Sequence, residues 1–146
     1  MHVKELRVKA LLDAGGWKYE SHDKMLESGA CYAYRPDFVF DAFTHMVVLE
    51  VDEHQHSSYP AECERTRMLA IAQTFSMPTA FIRYNPDAFV CGMSGRKSCI
   101  TEAQRHKELL RWLKLACSKK DVSGCIVVRV CYDGFATSSA DWVRVA

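Results

Sequence analysis

The stretch R-P-D-F-V-F-D (Arg35–Asp41), followed by H-M-V-V-L-E-V-D-E-H-Q-H (His45–His56), decides the reading of this chain. Tyr34 to Phe43 reads as a strand after Pro36, with Phe38 and Phe40 on one face. His45 to Val51 is a dense apolar run, the pattern of a central strand buried on both sides. Both strands deliver acids to a common end: Asp37 opens the first, and Glu50 and Asp52 close the second. Side chains alternate along a strand, so Glu50 and Asp52 face the same side. Burying carboxylates without compensation is costly, and a cation relieves that cost. With Asp37 as a third oxygen donor, the set suits a hard ion such as Mg2+ or Mn2+. An ion of that kind activates water and neutralises charge developing on a phosphodiester. The plainer alternative is a structural acid cluster paired with Arg35 and Arg83.

The flanking sequence supplies helices for this pair of strands. Residues 2–14 place Val3, Leu6, Ala10 and Leu11 on one helical face, and Gly15-Gly16 ends that helix. Trp17 to Glu20 reads as a short strand, followed by a polar stretch to Gly29. Pro60 suits a first helical position, with Glu62 and Glu64 in the first turn, and the helix runs to about Ser76. Thr79 to Tyr84 is another strand, and Asn85-Pro86-Asp87 a turn. Thr101 with Gln104 forms a capping box for a helix to about Ser118. Gly124 to Asp133 is the last strand. The order helix, three strands, helix, strand, helix, strand predicts an α/β domain with a mixed sheet flanked by helices, spanning residues 1–146.

The 146 residues are 49% hydrophobic and 25% charged, enough apolar material for a proper core, which excludes disorder for the bulk of the chain. No apolar run approaches a membrane span and the first residues are too polar for a signal peptide, so the expectation is an intracellular protein without a membrane partner. Seven scattered cysteines with no C-x-x-C pair read as reduced thiols rather than a disulfide framework. The formal charge of +1 hides an asymmetry. Residues 1–95 carry nine Lys/Arg against thirteen Asp/Glu, while residues 96–120 carry eight against two. An acidic front with a basic segment behind it suits an enzyme that holds cations and binds a polyanion.

Asp37, then Glu50-x-Asp52, on neighbouring strands between helices resembles the PD-(D/E)XK nuclease superfamily, the restriction-endonuclease-like fold. The string E-V-D-E-H-Q-H, with Glu50, Asp52 and His56, is similar in particular to its very-short-patch-repair-like branch. The resemblance covers roughly residues 2–90 and includes F-I-R-Y-N around Arg83. It implies a restriction-endonuclease-like mixed sheet and a divalent-metal-dependent endonuclease acting on DNA, with Mg2+ or Mn2+ as cofactor. Asp37 and Glu50 are then the principal metal ligands, Glu5 in the first helix an accessory acid, and Arg83 an arginine that often ends the strand after the second helix. The superfamily's usual lysine, two residues after the glutamate, is here Asp52. Either Asp52 binds metal as well, allowing a second ion, or Gln55 and His56 orient the water and move its proton. Arg65 or Arg67 on the following helix could supply the missing positive charge. Many nucleases of this fold act as dimers, so a homodimer is one form the resemblance implies.

Lys107, Arg111 and Lys114 fall within about 60° of one another on their helix, a basic stripe placed to follow a phosphate backbone. The apolar face there is Leu109, Leu110, Leu113, Ala116 and Cys117. Cys63, Cys91 and Cys99 could join a histidine around a structural Zn2+, but no pair has zinc-motif spacing, and single core thiols are the favoured reading. Two other functional readings accompany the DNA endonuclease: a catalytically silent nucleic-acid-binding module on the same fold, and the same chemistry directed at RNA.

Overall fold

The first helix, α1 (Val3–Ala14), buries Glu5, Val8 and Leu12 and leaves Val3 and Leu6 largely in solvent. This reverses the face expected from Val3, Leu6, Ala10 and Leu11. Positions 5, 8 and 12 follow the same helical spacing, and the helix turns a glutamate inward. In this computed structural model, residues 3–27, 33–53, 60–90, 100–134 and 141–145 are described. Gly16, at φ 73°, closes α1, and the Trp17 amide donates back to the Leu12 carbonyl at 3.0 Å.

Short strands β1 (Ser21–His22), β2 (Leu26–Glu27) and β3 (Ala33–Tyr34) precede the longer β4 (Phe38–Asp41) and β5 (Met46–Val51). The expected strand at Trp17–Glu20 does not form. Its aromatic rings instead pack edge-on against β4, Trp17 on Phe40 and Tyr19 on Phe38, and pairing with β4 begins at Ser21. Helix α2 (Ala61–Phe75) follows, with Pro60 at its N-cap rather than inside it, then β6 (Thr79–Tyr84). Helix α3 (Glu102–Ser118) starts on the expected capping box, and β7 (Cys125–Val130) and β8 (Val143–Arg144) end the described chain.

Six strands form one mixed sheet in the order β1-β4-β5-β6-β7-β8; β2 and β3 pair separately. The pairs β5–β6 and β6–β7 are parallel, and the remaining pairs of the sheet are antiparallel. Parallel neighbours need crossover helices, which α2 and α3 provide on opposite faces. On one face Val47, Leu49, Val51, Ala80, Ile82 and Tyr84 pack with Val8 and Leu12 of α1 and Leu109 and Leu113 of α3. On the other, Val48 and Phe81 pack with Met68 and Ile71 of α2. β5 and β6 are therefore buried along their whole length. His45, fully buried at the start of β5, bonds through Nε2 to the Ala116 carbonyl at 2.7 Å and fixes the β4–β5 turn to the end of α3. Among the described residues no helix is long and apolar enough to cross a membrane.

Candidate functional site

Asp37 stands one residue ahead of β4. Because Phe38 pairs with Leu49 across the antiparallel ladder, Asp37 comes to face Glu50. Its backbone N–H donates to Glu50 Oε2 at 3.2 Å, and its own Oδ2 accepts the Val51 N–H at 2.7 Å. Glu5, only 5% exposed, comes from α1 close enough for its charge to act on the Asp37 carboxyl. Burial first, then the charges of Glu50 and Glu5, push the Asp37 carboxyl up to about 9. Near neutral pH that carboxyl favours its protonated form. Glu5 Oε2 also meets His22 Nε2 at 2.8 Å, and the His22 ring stacks on Phe38. Arg67 of α2 donates through Nη1 to Glu50 Oε1 and through Nη2 to the Arg35 carbonyl at 3.3 Å.

Asp52 is not part of this group. It continues the face of Glu50, but lies beyond the end of β5 and is completely buried. The Arg83 guanidinium grips it with a fork, Nε to Oδ2 at 2.8 Å and Nη2 to Oδ1 at 3.0 Å, and the Tyr132 hydroxyl donates to Oδ2. Burial and the Asp52 carboxylate push the Tyr132 phenol upward, so it remains a donor. Arg83 Nη2 also meets Glu64 Oε1 at 3.2 Å, and Glu64 Oε2 lies 3.9 Å from Arg129. The expectation of Asp52 beside Asp37 and Glu50 is corrected here for a geometric reason. In the parallel register Glu50 neighbours Arg83, and a buried guanidinium takes the next acid along as its counter-ion. The acid that comes near Asp37 from another element is Glu5.

Other expected residues lie apart. Arg65 is exposed; its Nε donates to the Val145 carbonyl at 2.8 Å, tying α2 to the end of β8. Lys107, Arg111 and Lys114 are exposed along α3, as the stripe requires. Arg111 binds Glu108 at 2.6 Å and lies over the Trp112 ring. Trp112 itself is buried, edge-on to Trp142, and Leu110 and Cys117 are only partly covered. Gln55 and His56 lie outside the described residues, as do Cys91 and Cys99. Cys63 is exposed, while burial pushes the Cys117 and Cys125 thiols to about 11 and that of Cys131 to about 12. Those three behave as inert core groups.

No family model matches the chain, and no curated protein or solved structure matches it either. The site therefore rests on its own geometry. Among the described residues no group of three or more His, Cys, Asp or Glu side chains is placed to hold a metal ion. Asp37 instead stands between Glu50, which accepts its amide, and Glu5, whose charge acts on its carboxyl, while Arg67 closes on Glu50. Their donor chemistry, all carboxylate oxygen, fits a hard divalent cation. Seating one requires loss of the Asp37 proton. Sequence reasoning missed His22 as the partner of Glu5; a histidine inside a two-residue strand within a polar stretch carries no periodic signal.

Proposed function

We propose that this chain is a divalent-metal-dependent endonuclease that hydrolyses DNA phosphodiester bonds on a restriction-endonuclease-like α/β fold. The observation that carries the reading is that Asp37 faces Glu50 across the β4–β5 ladder and lies within electrostatic reach of the buried Glu5 of α1. Three acids forced together at the cost of a proton held up to about pH 9 are poorly explained as fold stabilisation, since an apolar cluster there would be cheaper. The position supports it too: the C-terminal end of β5, beside the first turns of α2, is where open α/β sheets place ligands.

In this reading Asp37 and Glu50 hold the ion, with Glu5 as the accessory acid. Bound Mg2+ or Mn2+ supplies an activated water and charge neutralisation at the phosphate. Val51's amide and His22 fix the orientations of Asp37 and Glu5. Arg67 brings a guanidinium to the acids, the positive charge that a lysine at position 52 would otherwise carry. Gln55 and His56 remain proposed for water orientation and proton transfer. Lys107, Arg111 and Lys114 offer a backbone track along α3. One specific observation favours the silent binding module instead: Asp52, at the lysine position, is locked in a structural ion pair.

The test is incubation of supercoiled plasmid, single-stranded DNA and RNA with Mg2+ or Mn2+, using wild type and Glu50→Ala. The expected result is metal-dependent DNA cleavage by wild type, stopped by a chelator and absent in the variant. Wild type and variant equally inert, yet both retarding DNA on a gel, would establish the module. Cleavage of RNA alone would redirect the chemistry.

A further inference from the structure

We infer that Arg67 is a removable counter-ion: its guanidinium neutralises Glu50 while the acidic cluster is cation-free, and passes to the scissile phosphate when a divalent ion takes its place. The inference rests on the nuclease reading above and adds a coupling between metal and substrate.

Two arginines lie near Glu50, and they differ in freedom. Arg83 is 1% exposed and held by both oxygens of Asp52 and by Glu64. Arg67 approaches from the solvent edge of α2, its side chain 31% exposed against 4% for that of Glu50. Its contacts are the ion pair to Glu50 Oε1 and one long, neutral bond to the Arg35 carbonyl, 3.3 Å away on an exposed residue. A long side chain anchored in this way can swing outward without unpacking the core. Arg83 cannot.

Glu50 Oε2 already accepts the Asp37 amide, so Oε1 is the oxygen that a cation between Glu50 and Asp37 competes for. Two cations cannot share it without strong repulsion at such range. A bound divalent ion would therefore compete with the guanidinium for Glu50 and would put two positive charges beside the acids in place of one. The freed fork matches a phosphate's oxygens in a way a point charge does not. Arg67 is displaced next to the place where the substrate's charge arrives. By linkage, phosphate that captures Arg67 also removes the ion's competitor, so metal and nucleic acid strengthen each other's binding.

The test compares wild type, Arg67→Met and Arg67→Lys by calorimetric Mn2+ titration at pH 8, and by cleavage of a labelled duplex at saturating Mn2+. Thermal melts report folding. Losing a charge-assisted competitor should tighten Mn2+ binding by Arg67→Met about tenfold. Losing a phosphate contact should slow its cleavage by roughly a hundredfold. Arg67→Lys should fall between on both measures, and carries the comparison if the Met variant melts. A wild type that binds Mn2+ and cuts DNA, beside an Arg67→Met variant with equal or weaker Mn2+ affinity, overturns the inference and leaves the nuclease reading standing. Tighter Mn2+ binding with undiminished cleavage overturns the transfer to phosphate. A folded wild type that neither binds Mn2+ nor cuts overturns both.

Discussion

Asp37→Asn separates what the acidic cluster does for function from what it does to the fold. In the cation-free protein the Asp37 carboxyl is pushed up to about 9, against 3.8 in the unfolded chain. Between those values the folded state holds a proton that the unfolded state has released. The contribution of this group to stability is therefore fully present below about pH 4 and declines as pH rises toward 9, by at most about 1.4 kcal/mol per pH unit. From pH 5 to 8 the ceiling is about 4 kcal/mol, and partial exposure and relaxation bring the expected loss to about 2–4 kcal/mol. Asparagine keeps an oxygen for the Val51 amide and offers a neutral N–H beside the neighbouring acids without titrating. The variant should thus gain on wild type by about 2–4 kcal/mol between pH 5 and pH 8, which moves a urea midpoint by about 1–2 M for a chain of this size. The assay is urea unfolding of both proteins in chelator at pH 5, 6, 7 and 8. A gap that does not grow with pH, or a variant less stable than wild type at pH 8, refutes the claim that Asp37 is forced to hold a proton.

Asp52→Ala should cost about 3–5 kcal/mol by removing the forked counter-ion of the buried Arg83 and leaving it Glu64 alone among its described acid partners; a variant that loses cleavage at unchanged stability would return Asp52 to the chemistry. His45→Ala removes the bond to the Ala116 carbonyl and should destabilise by about 1–3 kcal/mol in thermal or urea melts, and no measurable loss would show that the β4–β5 turn is not pinned there. Replacing Lys107 and Lys114 together by alanine should weaken duplex binding and lower the salt slope of its affinity by about 1–2, whatever the duplex sequence; an unchanged slope places the backbone elsewhere.

How far the chain could be read in advance varied with burial. β5 and β6 are apolar along nearly their whole length, and a run covered on both faces admits one interpretation. The capping box at Thr101 and Gln104 is local chemistry, and it recurs in the structure atom for atom. α1 failed differently. Val3, Leu6, Ala10 and Leu11 form an apolar stripe, but so do Val8 and Leu12 once Glu5 is allowed inward, and the acids awaiting Glu5 lie on distant elements. Glu50 and Asp52 were legible as one face of one strand. Their different partners, Arg67 for Glu50 and Arg83 for Asp52, were not, because these depend on the β5–β6 register and on the placing of α2. β1, β2, β3 and β8 have two residues each, too short for any period, and His22 was hidden with them.

The central claim is that Glu5, Asp37 and Glu50 meet in order to hold a divalent ion for phosphodiester hydrolysis. Single-turnover cleavage of a labelled DNA duplex in Mn2+, by wild type and by the Asp37→Asn variant, tests it most directly, because this variant is expected to fold at least as well as wild type. The account predicts cutting by wild type, abolished by chelation, and none by Asp37→Asn at equal or higher stability. Equal cutting by the two proteins, or wild-type cutting that survives chelation, would contradict it.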